Sequence, residues 1–327
     1  MIFSGSSLAA DVPGAMPAAP ATAPVASCSV NPLDADYRLL LDLCPVLRVR
    51  LLTADEPAPD RAQGWYSADE LSCEPDALAL ALAGEADRIA PVAAAHGTAP
   101  RPHVAASRLL HHYLWSLCVL IAGPWWLTRR VPSIDGANLW LHAPTGDLAL
   151  RPGAYVTLPG EDELRAELRA SVVTHAEPLL AAFAAPTRRG TRALWGMVTD
   201  DLASAIWYLG KRLDARVADA GSGSGTGADV DAGAGAGARA GAGIGAGAGA
   251  GAGAAHEDAA VAAAGAVLPG RTDPLPGAAD FRRLRGEDGR GHHTRTRLGC
   301  CLYYAVEPDR ACITCPRTGD EERLRRL

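Results

Sequence analysis

Alternating glycine and alanine dominate the chain from residue 218 to 279, as in GAGAGARAGAGIGAGAGAGAGAA (233–255). Glycine has the most backbone entropy to lose on folding, and alanine offers little surface to bury. This range therefore reads as a flexible linker. Residues 1–31 are rich in Ala, Pro and Ser with no apolar period, and read as a disordered N-terminal extension. About 230 residues remain, ample for a hydrophobic core. They divide unequally into 32–217 and 280–327. The second piece is too short to bury much apolar surface, so it needs a metal or a docking surface to fold.

The formal charge is −6, unevenly placed: residues 281–327 hold 11 arginines against 7 acidic residues, a net of +4. Lys211 is the lysine of a chain whose cations are otherwise arginines. The acidic total and the lack of basic residues interleaved with aromatics argue against nucleic-acid binding. The N-terminus has no basic stretch followed by an apolar run, so no secretory leader is expected. The most apolar run, YLWSLCVLIAGPWWL (113–127), is short for a bilayer span and carries Gly-Pro, which suits a buried helix ending near Ala122. A cytoplasmic placement is expected, where thiols stay reduced.

The larger block reads as α+β, mainly helical with a small antiparallel sheet. DYRLLLDLCPVLRVRLL suggests a short helix stopped by Pro45, then a strand. Ser67 and Glu70 have capping-box spacing. Residues 76–97 and 104–121 follow helical period. Leu139, Leu141, Leu148 and Leu150 alternate around the turn PTGD as a hairpin, with AYVTL as a candidate third strand. Two long helices follow, the second with apolar residues Leu194, Met197, Val198, Leu202, Ile206 and Leu209 on one face.

Four of the eight cysteines, Cys300, Cys301, Cys312 and Cys315, fall within 16 residues. A disulfide framework fits a reducing compartment poorly, and vicinal cysteines make a strained ring. A thioredoxin-like dithiol would use CITC, but no βαβ unit surrounds it and Cys300–Cys301 would be unexplained. Zinc and an iron–sulfur cluster both remain open. Four thiolates saturate a tetrahedral zinc, although adjacent cysteines tend to point apart and strain to reach one small ion. A two-iron cluster is a larger target that neighbouring cysteines reach more easily.

The pattern C-C-x10-C-x2-C, with Arg297 three residues before it and Pro316 directly after, resembles the C-terminal signature of FhuF-type ferric-siderophore reductases. ALWGMVTDDLASAIWYLGKRL is similar to that family's helix with Leu-Trp-Gly, and AGPWWL…LWLH more loosely to its central part. The resemblance implies that Cys300, Cys301, Cys312 and Cys315 bind a [2Fe–2S] cluster. It implies one-electron reduction of Fe(III) siderophores, with release of Fe(II) for iron assimilation. Residues 32–217 would then be the substrate domain and 280–327 the cluster-binding segment. The electron donor would be a ferredoxin or flavin reductase, and a peripheral association with the inner face of the cell membrane fits the same role. Arg295, Arg297, Arg310 and Arg317 flank the ligands and are candidate contacts for an anionic chelate or an acidic donor. The alternative is a non-catalytic binding module folded around a four-cysteine zinc site.

Other residues carry weaker expectations. His111 and His112 lie on one helix but on different faces, and read as core or surface residues. His292 and His293 precede a ligand set already complete with four cysteines. Trp125, Trp126, Trp140, Trp195 and Trp207 divide between a substrate cleft and the core, with Trp195 and Trp207 assigned to the core. Cys28, Cys44, Cys73 and Cys118 read as idle thiols. Asp200 and Asp201 read as a solvated helix face. No Walker loop, nucleophile elbow or complete dinucleotide fingerprint is present.

Overall fold

Where sequence periodicity is strongest, helices form. In the computed structural model, which describes residues 31–221, 255–287 and 289–326, α1 (Pro32–Leu43) starts on the Asn31 side chain, which accepts from the Leu33 amide. The chain then forms β1 (Val49–Leu51) and β2 (Trp65–Ser67). The expected capping box is present at α2 (Ala68–Cys73): Ser67 and Glu70 satisfy each other's backbone amides. Next come α3 (Pro75–Ala95) and α4 (Pro102–Thr128), then β3 (Val131–Pro132), β4 (Leu139–His142), β5 (Leu148–Leu150) and β6 (Tyr155–Val156). Two long helices, α5 (Glu161–Thr187) and α6 (Thr191–Gly221), complete the block. The fold is α+β and mainly helical, as expected.

α4 is the central element, packed by α1, α3, α5 and α6. By length and composition it could cross a membrane, yet 94 % of its most apolar window is buried inside the fold. It does not end near Ala122. It continues through Pro124 to Thr128, where Arg129 takes the left-handed conformation and its amide caps the Trp125 carbonyl. The absence of a Cβ at Gly123 is what lets Leu40 of α1 pack there, since a Cβ would stand 2.5 Å from Leu40 Cδ2. Packing on this turn compensates for the hydrogen bond that Pro124 cannot donate.

The leucine hairpin forms as β4 and β5, with Leu141 opposite Leu148 and Leu139 opposite Leu150. It sits inside a four-stranded sheet of order β1-β5-β4-β2, in which β1 runs parallel to β5. Leu139, Leu141, Leu148 and Leu150 face the main core, while Trp140 and Ala149 face a small cluster with Leu52. AYVTL is not a third strand of this sheet. β6 pairs instead with β3, because residues 151–154 turn the chain away.

Part of the range expected as linker is folded. Residues 255–267 form α7 (Ala255–Val267), an alanine-rich helix whose Ala260, Ala264 and Val267 are buried against α6 and α5. Alanine has the best helix propensity once glycine no longer alternates with it. The crossing is close at Gly210, where a Cβ would stand 2.5 Å from Ala260 Cβ and from the His256 carbonyl oxygen. The expectation for 222–254 and for 1–30 lies outside the described residues.

The last segment is built from a hairpin, β7 (Phe281–Arg285) with β8 (Gly291–Arg295), two irregular cysteine-bearing loops, and the short α8 (Asp320–Arg325).

Candidate metal centre

The sequence places Asp200 and Asp201 in the middle of α6, where the structure buries both completely. They are not a solvated face but the base on which the cysteine segment is built. Asp200 Oδ1 accepts from Arg295 Nη2 at 2.7 Å and from the Leu298 amide at 2.9 Å, and Oδ2 accepts from the Gly299 amide at 2.8 Å. One carboxylate thus fixes the backbone immediately before the cysteine pair. Asp201 Oδ1 pairs with Arg297 Nη2 at 2.7 Å. Removing one partner from a buried pair of this kind costs about 3–5 kcal/mol, because the other charge is stranded.

His111 on α4 joins the same network. Its Nδ1 lies 2.8 Å from Asp201 Oδ1 and its Nε2 lies 3.3 Å from Arg297 Nη1. A carboxylate only accepts, so the proton belongs on Nδ1, leaving Nε2 to accept from the guanidinium. His112 turns elsewhere, to the Gly146 carbonyl at 2.9 Å, and burial pulls its pKa down to about 4.

Arg295 is fully buried and Arg297 is 6 % exposed. Neither is a surface contact for a chelate or a donor, contrary to the sequence expectation: both are consumed by Asp200 and Asp201. Arg323 is likewise internal, donating to the Ile313 and Cys315 carbonyls at 2.8 and 3.0 Å. Arg310 and Arg317 are exposed, with Arg317 lying 4.1 Å over the Tyr304 ring. The basic excess of this segment is therefore partly spent inside it.

On this base the cysteines converge. Cys301, Cys312 and Cys315 are buried and Cys300 is half-buried, all as free thiols. Cys300 Sγ lies 3.9 Å from Cys315 Sγ, and Cys312 is near enough to Cys301 and Cys315 to shift the acidity of both. Among the described residues no three His, Cys, Asp or Glu side chains are already grouped as a site for a single ion. Directly after the cysteine pair, Leu302 takes a left-handed conformation (φ 64°), which a non-glycine residue adopts at a cost of about 1–2 kcal/mol. The Leu302 amide donates to Cys300 Sγ at 3.4 Å.

The thiols differ in acidity. Donation of its own S–H to Cys312, together with burial, pushes Cys301 up to about 11, and burial pushes Cys300 up. Its hydrogen bond with Cys312 holds Cys315 below the ordinary thiol value. Between the cysteine pairs, Tyr303 and Val306 are buried with Ile89, Ala93, Val104 and Ala105. The stretch 302–306 is thus an apolar plug packed with residues of α3 and α4 as well as part of the connection.

Two further arginines reach this site without having been legible in the sequence. Arg189, at the α5–α6 junction, donates to the Cys300 carbonyl. Arg108 on α4 points Nη1 at Cys301 Sγ, 3.6 Å away. His293 pairs with Asp258 and does not join the sulfurs. Trp195 and Trp207 are core residues, as expected, and Trp125 and Trp140 are buried too.

The helical scaffold thus carries the four thiols of C-C-x10-C-x2-C on two loops of one segment, a candidate thiolate site. Residues 297–317 match the family model described as the FhuF 2Fe-2S C-terminal domain, which supports the FhuF-type family through the segment that carries all four cysteines. No curated protein matches the chain. The donor set fits the group named by that description: four thiols, two per loop, with a backbone amide on one sulfur.

Proposed function

We propose that the protein reduces Fe(III)–siderophore complexes by one electron, releasing Fe(II) for iron assimilation, with Cys300, Cys301, Cys312 and Cys315 holding a [2Fe–2S] cluster. The observation that carries this reading is the match of residues 297–317, which hold all four cysteines, to the 2Fe-2S domain, with the Cys300 and Cys315 sulfurs 3.9 Å apart. The cluster would supply a reversible one-electron carrier. The chain's own residues do the rest. Asp200 and Asp201 lock Arg295 and Arg297, so that Leu298 and Gly299 present the cysteine pair in one geometry. The Tyr303–Val306 plug excludes water from the inner side. Cys300, half-buried, marks the side nearest to solvent, where exposed Arg310 and Arg317 would meet an anionic chelate or an acidic donor.

Fe(III) is held by hard oxygen ligands far more tightly than Fe(II), so one electron suffices to release it and no chelator bond need break. A ferredoxin or flavin reductase as donor, and a cytoplasmic site at the inner face of the membrane, follow from this role. Elemental and sulfide analysis of anaerobically purified protein tests the reading. Two irons and two sulfides per chain, with visible absorbance bleached by dithionite, are expected. A colourless protein with one zinc per chain would show a zinc-folded binding module instead.

A further inference from the structure

Arg108 is 1 % exposed, in the middle of the protein. Its guanidinium lies 4.6 Å from the Tyr303 ring centroid and 3.6 Å from Cys301 Sγ, and its Nε has no hydrogen-bond partner. Nearby charges are already matched: Asp200 with Arg295, Asp201 with Arg297, and Glu85 with Arg88. Among the described residues no carboxylate comes within ion-pair distance of Arg108. A guanidinium cannot shed its proton in a protein, and an uncompensated charge in an apolar interior is costly. The sulfur is the acceptor left to balance it.

We propose that Arg108 is the internal counter-cation of the metal centre at the Cys301 sulfur, a positioning residue whose guanidinium, 3.6 Å from that ligand, favours the more negative, reduced state. The proposal rests on the reading of the four cysteines as ligands. It also accounts for the plug: Tyr303 lies against the guanidinium, so seating residues 302–306 on α3 and α4 brings Cys301 to its counter-charge. A cation beside a thiolate ligand stabilises added negative charge, which raises the reduction potential.

The test compares full-length wild type with Arg108→Met and Arg108→Lys, all purified anaerobically. Iron, sulfide and zinc content checks the ligand reading separately. Redox titration followed by visible absorbance, and the rate of metal loss to EDTA, then check Arg108. In Arg108→Met the one-electron equilibrium is expected to move about tenfold toward the oxidised form, ~59 mV more negative. Metal should be lost several-fold faster, while Arg108→Lys stays close to wild type on both readouts. Unchanged potential and unchanged metal retention in Arg108→Met would overturn the proposal. Equal loss in the Met and Lys variants would also overturn it, since that would make the residue's role one of shape. If the wild type carries zinc, the reductase reading fails, and the EDTA rates alone still decide on Arg108.

Discussion

Leu114 and Arg108 belong to the same helix, and they show two ways of holding a protein together. Leu114 is fully buried in the main apolar core. Its stabilisation is non-directional and scales with area removed from water. Arg108 is equally buried but meets a sulfur and a tyrosine ring. It belongs to the other region, where Asp200, Asp201, Arg295, Arg297 and His111 fix the cysteine loops by directional, charge-assisted bonds. A segment with so little apolar content cannot hold a four-thiol geometry by area alone. The helical block lends it buried carboxylates instead.

Substitutions in the two regions should therefore fail differently. Cys301→Ser, the most severe change, is expected to abolish visible colour and ferric-chelate reduction while far-UV circular dichroism stays largely as in wild type; collapse of the helical signal would show that the regions are not separable. Asp200→Ala strands Arg295 and frees two amides, so urea unfolding should report a loss of about 3–5 kcal/mol, with metal content falling as well. A loss below about 1 kcal/mol would contradict the anchoring role. Leu114→Ala should cost about 2–5 kcal/mol by cavity formation, yet keep full metal content per folded molecule. A proportional loss of metal would erase the contrast. The smallest effect is expected from halving the Gly/Ala tract 222–254, which should leave reduction rates near wild type; a large drop would mean that the tract has a structural role.

The sequence showed the helices and the leucine hairpin because their apolar residues repeat at 3.6 and 2 residues, and packing follows that period. It singled out the four cysteines because their spacing is unusual, and the stretch that carries them, 297–317, matches the 2Fe-2S family model. It did not show the role of Asp200 or Arg295. A charged residue on an amphipathic helix looks the same whether water or a distant arginine meets it, and here the partners are 95 residues apart. Arg108 and Arg189 were hidden for the same reason. β6 was misplaced because strand propensity says nothing about which partner a strand finds. Residues 255–267 were hidden by composition: alanine next to glycine repeats suggests a linker, until a helix of its own can dock on α6.

The most direct measurement is a single turnover. Protein reduced by one electron with dithionite, freed of excess reductant, is mixed anaerobically with a ferric hydroxamate chelate and a ferrous-specific indicator. Visible absorbance should return to the oxidised level while one Fe(II) per chain is captured, and Cys301→Ser should do neither. Full reoxidation with no captured Fe(II), or capture at the wild-type rate by Cys301→Ser, would contradict this reading.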